Sequence, residues 1–497
     1  MPKLRAVLLS VFVLACHQPA AVAPRPGTIS TGRDASLRAF IDSMVEAPEF
    51  SNAHWGILIV DPERGDTLYS RNAGKLFMPA SNMKILTSAT ALTQLGGDFR
   101  YRTTFGARGQ VTGGTLAGDL VVIGRGDPSV SDHMMRDAML PLRAIADSIV
   151  ARGIHHVTGR VVAAGDRFPG SELGFGWSFE DFEDSYSAPV DELLFNEGFS
   201  ELHVRAGERP GDPVTVVVRP ARSTPRVRVN ATTVPATSGD SAARRRANTL
   251  AARKDSTTWD VILTGTLAAR DTAVIEVTHH NANDAYLTAL REALTDRGVS
   301  FDDQPTDTLA RVDTLATLSS PPLSEILKAL MKPSQNQIAE MLFRTIALEK
   351  TGAGRPDSAR AIVERQIASW GAAVPLEAVV RDGSGLSRYD YISPQTVVRI
   401  LDAMRKSSSF NVFYDALPIA GVDGTIRNRM KGTPAENNVR AKTGSVAQSR
   451  SLSGYVTTAD GHRLIFSFLS NNWTVPIRAV ERVQDAIAVR LATMRLR

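Results

Sequence analysis

Apolar residues recur at helical spacing at Leu37, Phe40, Ile41, Met44 and Val45, which predicts a helix with one buried face. Residues 55–60 are then continuously apolar, Pro62-Glu63-Arg64-Gly65 is a turn, and residues 67–70 read as a return strand. The stretch Met78-Pro79-Ala80-Ser81-Asn82-Met83-Lys84 follows. Pro79 suits the first turn of a helix, because its missing N–H has no partner there anyway. Good helix formers continue from Ala80 to Leu95, and Gly96-Gly97 ends the run.

From about residue 100 the pattern changes to short strands at 101–106, 120–123, 157–163, 214–218, 226–229, 259–263 and 274–277. Gly-rich turns such as Gly124-Arg125-Gly126-Asp127-Pro128 separate them. Residues 174–200 are aromatic and acidic, and a helix is predicted over 283–297, stopping at Gly298. Helical periodicity returns at 323–331, Pro333 breaks it, and a second helix runs over 337–348. Residues 382–385 and 417–425 read as loops, and 451–458 and 464–469 as neighbouring antiparallel strands. A last helix, opened by Pro476, carries Val480, Val483, Ile487, Leu491 and Met494 on one face.

With 497 residues, 43% hydrophobic and 22% charged, the chain has material for several globular domains. Its net charge of +5 is mild. Basic residues are scattered except for Arg244-Arg245-Arg246 in a loop-like stretch, and none interleave with aromatics, so nucleic acid is not an expected partner. Lys3 and Arg5 precede an apolar run over 6–15 that is too short to span a bilayer, the form of a secretory signal. The only cysteine, Cys16, closes Val13-Leu14-Ala15-Cys16, which resembles a bacterial lipobox. Cleavage before Cys16 and acylation of its thiol would anchor the chain to a membrane; the alternative is plain cleavage after Ala23. Residues 17–33, rich in Pro, Ala and Gly, read as a tether. Either way the chain is expected to work periplasmically, or at least outside the cytoplasm, without a disulfide.

Ser81 and Lys84 stand three apart, so a helix puts them on one face. A hydroxyl beside an amine is a nucleophile with a possible base, although one Ser-x-x-Lys alone is a weak signal. Ser334-Gln335-Asn336 lies at a helix-to-helix kink that can turn both polar side chains into one cleft. Lys442-Thr443-Gly444 lies on a predicted strand, where it can line a groove. A second copy, Lys350-Thr351-Gly352, falls at a helix end with Gly352 as its cap and is set aside. His279-His280 lacks a third ligand at a zinc-site spacing, so a structural or surface role is expected and no metal.

Ser-x-x-Lys, Ser-x-Asn and Lys-Thr-Gly in that order are the signature set of penicillin-recognising serine enzymes. The chain resembles the D-alanyl-D-alanine carboxypeptidase/endopeptidase family, the class C low-molecular-mass penicillin-binding proteins. The resemblance also rests on Gly126-Asp127-Pro128, the stretches 334–340, 382–388 and 421–425, and Leu452-Ser453-Gly454-Tyr455. Ser334 follows Ser81 by 253 residues (334 − 81), a gap that fits this family, whose members carry extra domains there. Gln335 and Ser445 depart from the residues usual at their positions, which touches substrate preference more than activity.

The resemblance implies an α/β (α+β) fold: a split, penicillin-binding/β-lactamase-like catalytic domain whose five-stranded antiparallel sheet is flanked by helices, with two nested, mainly-β inserted domains. The expected partition is a signal with lipobox over 1–16, a tether over 17–33 and the catalytic domain over 34–100 and 313–497. One inserted domain is expected over 101–124 and 190–312, the other over 125–189. It implies an acyl-enzyme on Ser81, with Lys84 as base, Ser334 and Lys442 relaying a proton, and Asn336 orienting substrate and Lys84. Thr443 with Lys442 would hold the substrate carboxylate. Gly444 belongs to the same binding strand, and the N–H groups of Ser81 and Ser445 would form the oxyanion hole. Burial and the neighbouring cation Lys442 are expected to favour a neutral Lys84. The implied substrates are peptidoglycan muropeptides and the implied covalent inhibitors β-lactams, with no cofactor. Two other readings are a β-lactamase, for which Glu192-x-x-x-Asn196 is a coincidental match to a deacylation motif, and a silent wall-binding scaffold.

Overall fold

The computed structural model describes residues 34–220, 226–236, 241–305 and 311–496. The expected signal, the tether and Cys16 lie outside the described residues. The first and last parts of the chain build one five-stranded sheet. Its order is Arg440–Val446, Ser449–Thr457, Arg463–Asn471, His54–Asp61, Asp66–Arg71, antiparallel throughout. Ile57 faces Phe468 across the seam where the N-terminal hairpin meets the C-terminal meander.

Helices cover both faces of this sheet, which is why its central strands are apolar on both sides rather than alternating. On one face lie Asp34–Val45 and Ile477–Thr493, whose Leu37, Ile41, Val480, Val483 and Ile487 share a core with Ile57, Ile59 and Phe466. On the other lie Met83–Leu95, Leu323–Met331, Asn336–Thr351 and Pro394–Arg405, packed through Leu86, Leu327, Leu342 and Leu401. The predicted helices and hairpins of this part appear within a few residues of their expected bounds. Helices Pro356–Ser369, Pro394–Arg405 and Phe410–Ala416 were not among them, and one departure among those read matters: the helix does not begin at Ala80. Ala80–Asn82 is a tight 3-10 turn, and Ala80 sits at φ +48°.

Between Tyr101 and Ser320 the chain leaves the part built on the five-stranded sheet and returns at the same place, with Tyr101 N donating to Ser320 Oγ and Ser320 N to Tyr101 O. Arg102–Thr112, Thr115–Ile123, His156–Val157, Val161–Ala163, Ser300–Phe301 and Val312–Ser319 form a six-stranded sheet. Helices Met139–Val150 and Ala282–Thr295 share its core through Leu142, Ile149, Tyr286 and Leu290. A second β unit is threaded into it, with Phe199–Arg205 flanked by Thr215–Arg219 and Thr272–Thr278 and a separate core around Leu202, Leu263 and Val277.

Strand pairing runs across the expected internal boundaries. Val161–Ala163 and His156–Val157 both pair with Thr115–Ile123, and the strands of the separate β unit lie between residues 199 and 278. The Met139–Val150 helix was not read from the sequence, and Arg244-Arg245-Arg246 lies in the helix Ser241–Ala247 rather than in a loop. Among the described residues no helix is long and apolar enough to cross a membrane.

Leu142 is fully buried where helix meets sheet in the outer inserted unit. Leu142→Ala is expected to destabilise that unit by about 2–5 kcal/mol, through lost transfer energy plus the cavity left behind. Chemical denaturation followed by far-UV circular dichroism measures it; a loss below about 1 kcal/mol would contradict the core assignment.

Candidate active site

The Ser81 turn, the Asn336 helix, the loop 381–390 and the edge strand Arg440–Val446 converge on one cleft of about 320 Å³. Ser81, Ser334, Asn336 and Ser445 line it together with Tyr186 and Arg388. Two glycines allow the close approach. A Cβ on Gly444 would stand 2.5 Å from Pro79 O and 3.0 Å from Ser81 N, so only glycine lets the edge strand lie against the serine turn. Gly385, at φ +81°, would place a Cβ 1.9 Å from Ala80 O.

Lys84 is wholly buried one turn after Ser81. Its Nζ lies 2.9 Å from Ser81 Oγ and donates to Asn336 Oδ1 at 2.6 Å and to Ser384 O at 2.8 Å. Asn336 Nδ2 in turn donates to Tyr186 O at 2.7 Å, which fixes the amide with its oxygen toward Lys84. On the facing strand, Lys442 Nζ donates to Ser334 Oγ at 2.7 Å and to Thr443 O at 2.8 Å. Ser334 holds this position at φ +71° in the kink after Pro333, a conformation that costs a non-glycine residue about 1–3 kcal/mol. Thr443 Oγ1 donates to Thr425 Oγ1 at 2.7 Å, and Asn82 Nδ2 to Lys442 O at 3.0 Å. Ser81, Lys84, Ser334, Asn336 and Lys442 are thus brought together, with Thr443, Gly444 and Ser445 along one side.

Burial pushes the Lys84 amine down to about 7, against the pull of Asp382, Glu340 and Asp390. Burial also holds Lys442 well below the usual lysine range, and there Lys84 and Arg450 add repulsion. The expectation about burial therefore holds for Lys84. The charges acting on Lys84, however, are three carboxylates that raise its affinity for a proton; the cation–cation repulsion falls on Lys442 instead.

Those carboxylates are the part that sequence reasoning missed. Glu340 Oε1 accepts from the N–H groups of Gly383 and Ser384, at 3.0 and 2.8 Å. Asp382 accepts from Gly385 N at 2.6 Å, Ser387 N at 2.7 Å and the Trp177 indole at 2.9 Å. Asp390 accepts from Arg381 N at 2.6 Å, and burial followed by the charge of Asp382 holds it well above the usual carboxylate range. Together they freeze the loop that aims Ser384 O at Lys84. One signal was available: Glu340 follows Asn336 by four residues and so shares its helix face. Trp177 and Tyr186 come from the inserted region, and nothing in their spacing points here.

Other sequence candidates lie elsewhere. Lys350 is exposed at its helix end, where Gly352 caps at φ +85°. Glu192 Oε2 accepts from Arg167 N at 3.1 Å and Phe168 N at 3.4 Å, and Asn196 Oδ1 from Asp132 N, so both brace the inserted region. His279 Nε2 pairs with Ser200 Oγ at 3.0 Å, and the His280 ring stacks on Trp259.

Gly385→Ala is expected to lower the acylation rate by labelled penicillin about a hundredfold, since shifts near 1 Å at reacting groups cost this much. Stopped-flow labelling measures it, and an unchanged rate would show that the contact with Ala80 is not needed.

Comparison with known proteins shows the family. The family model described as "D-Ala-D-Ala carboxypeptidase 3 (S13) family" matches residues 37–494. A D-alanyl-D-alanine carboxypeptidase of Actinomadura sp. (strain R39) is 35% identical over 495 residues, covering 94% of this chain and 87% of the relative. D-alanyl-D-alanine carboxypeptidase DacB of Haemophilus influenzae is 26% identical, covering 87% of this chain and 88% of its own. The crystal structure of penicillin binding protein 4 (dacB) from H. influenzae superposes with a TM-score of 0.75 at 23% identity, over 93% of this chain and 100% of that one, a likeness of fold. The chain belongs to the D-Ala-D-Ala carboxypeptidase 3 (S13) family of serine peptidases.

Proposed function

We propose that this enzyme hydrolyses peptidoglycan stem peptides through an acyl-enzyme on Ser81, as a D-alanyl-D-alanine carboxypeptidase and/or D,D-endopeptidase. The single observation that carries the assignment of roles is the environment of Lys84 Nζ. A neutral amine has two N–H bonds and one lone pair. Asn336 Oδ1 and Ser384 O take the two N–H bonds, which leaves the lone pair facing the Ser81 hydroxyl at 2.9 Å. The Ser81 O–H then donates its proton to Lys84 while Oγ attacks the carbonyl between the two D-alanines.

The N–H groups of Ser81 and Ser445 receive the developing oxyanion, each worth about 3 kcal/mol by analogy with other acyl-transfer sites. As the C–N bond breaks, the proton that Lys84 took from Ser81 passes to the leaving amine along Ser334 and Lys442, which already share a hydrogen bond of 2.7 Å, and Lys84 is neutral again. A substrate carboxylate beside Thr443 supplies the negative charge that favours protonated Lys442. Water then attacks the acyl carbon, Lys84 accepting its proton and returning it to Ser81 Oγ as the ester breaks and the shortened peptide leaves. Asp181 and Arg388 in the cleft wall offer opposite charges to a zwitterionic side chain such as that of diaminopimelate.

The β-lactamase reading loses its candidate deacylating base, because Glu192 is occupied within the inserted region. A β-lactam is therefore expected to remain as a slowly released acyl group. Penicillin binding protein 4 of H. influenzae has also been crystallised in complex with a β-lactam. The same reading places the enzyme outside the cytoplasm, with Cys16 as its lipid anchor after removal of the segment that precedes it. The inner inserted unit at roughly 199–278, nested in an outer one, completes the proposed domain plan.

Three outcomes test these roles. Acylation by penicillin is expected to rise about tenfold per pH unit up to about 7 and then level, because below 7 Lys84 holds the proton it must accept; a profile flat from pH 5 to 9 would remove Lys84 as base. Lys84→Ala is expected to slow acylation by about 10²–10⁴-fold in the same assay. Fluorescent penicillin should label the wild type stably and Ser81→Ala not at all, whereas rapid loss of label would favour the β-lactamase reading.

A further inference from the structure

A second cavity, of about 450 Å³, opens where the inner inserted unit meets the N-terminal end of the Ala282–Thr295 helix. Trp259, Asp260, His279, His280, Asn281 and Asp284 are among its walls. The sequence pattern places Trp259 at the start of a strand, but the strand begins at Val261. Trp259 is instead held at φ +59° on the turn before it, with its side chain 44% exposed. A bulky residue in that conformation is uncommon and needs support from its surroundings.

That support is present. Asp255 Oδ1 accepts from Thr257 N and Thr258 N at 2.9 Å each, and Trp259 N donates to Asp255 O at 2.9 Å. Arg228 ties the turn down, with Nη2 at 2.9 Å from Asp260 Oδ2 and 3.1 Å from Thr258 Oγ1. The indole lies flat on the His280 ring, with centroids 3.6 Å apart and planes at 11°. Burial and Lys254 hold His280 below its usual range, so the stacked pair is uncharged at neutral pH. Behind it, His279 is buried and its Nδ1 has no partner among the described residues.

A braced, flat, uncharged aromatic face with amide, imidazole and carboxylate groups at its edge suits a ligand with one apolar face and many hydroxyls. The rim mixes Arg226 with Asp260 and Asp284, so it does not select a phosphate or a polyanion. The two histidines do not converge on a metal, since one pairs with Ser200 and the other lies under Trp259. We infer that this cavity binds a glycan of N-acetylated hexosamines, the sugar backbone from which stem peptides project. The inference rests on the proposed action on peptidoglycan. A grip on the glycan away from the cleft would raise the local concentration of stem peptides at Ser81 without altering the chemistry there.

The test uses Ser81→Ala protein, which binds without turnover. It is expected to co-sediment with purified peptidoglycan sacculi, and a tetramer of β-1,4-linked N-acetylglucosamine should compete. Adding Trp259→Ala is expected to weaken sedimentation about tenfold, the order set by one lost aromatic contact. On the wild-type background, Trp259→Ala should acylate with penicillin at an unchanged rate, which reports an intact fold and cleft. Undiminished sedimentation of the Trp259→Ala protein, or no competition by the tetramer, overturns the glycan site. Failure of the wild type to be acylated would instead overturn the reading of the Ser81 cleft. If Trp259→Ala lowers acylation, Asp284→Ala and Trp259→Phe decide by the same sedimentation, and parental binding in both overturns the site.

Discussion

A lysine amine taken fully out of water must either find acceptors for three N–H bonds or give up a proton. Everything around Lys84 is arranged on that condition. Its buried position favours the neutral form, and the Glu340, Asp382 and Asp390 carboxylates keep that preference from running further. The balance near 7 leaves a base of useful strength at neutral pH, where a fully solvated lysine would hold its proton and a deeper one would be too weak to take it. The same carboxylates accept N–H bonds from the loop 381–390, so the groups that tune the amine also fix Ser384 O against it.

Segments far apart in the chain meet only because small residues permit contact between main chains. Gly444 brings the edge strand to the Pro79–Ser81 turn, and Gly385 brings the loop to Ala80. The inserted region is part of the same construction. Tyr186 O fixes the Asn336 amide and the Trp177 indole binds Asp382, so a segment outside the central sheet positions two of its groups. The first turn of the Ser81 helix bears positive φ at Ala80, and the Ser334 kink does so at Ser334 itself. Both serines are thus presented from backbone conformations that a regular helix does not supply.

Much of this was legible from residue order. Helices with strong apolar periodicity, the continuous apolar strand after Ala53 and the C-terminal meander appear within a few residues of their expected bounds, because burial on both sheet faces leaves a clear pattern. Ser81, Lys84, Ser334, Asn336 and Lys442, which the structure brings together, were singled out because each lies in a short motif. The loop carboxylates were not, since an Asp among glycines reads the same whether it is solvated or buried under an indole. The Met139–Val150 helix sits among strands and carries Pro141 near its start, which hid it. The pairing between Thr115–Ile123 and Val161–Ala163 was not legible, because it is a long-range fact that local composition does not carry.

The seam between His54–Asp61 and Arg463–Asn471 has a bearing on biosynthesis. The hairpin 54–71 cannot be completed as a sheet until the much later strand Arg463–Asn471 has been synthesised, and Lys442 arrives only shortly before that strand. The inserted units, closed on themselves between Tyr101 and Ser320, have all their own partners well before that moment. Juxtaposition of the Ser81 turn with Lys442 is therefore deferred until the meander has been synthesised, and a chain terminated before it would carry the inserted units but lack the edge strand of the cleft.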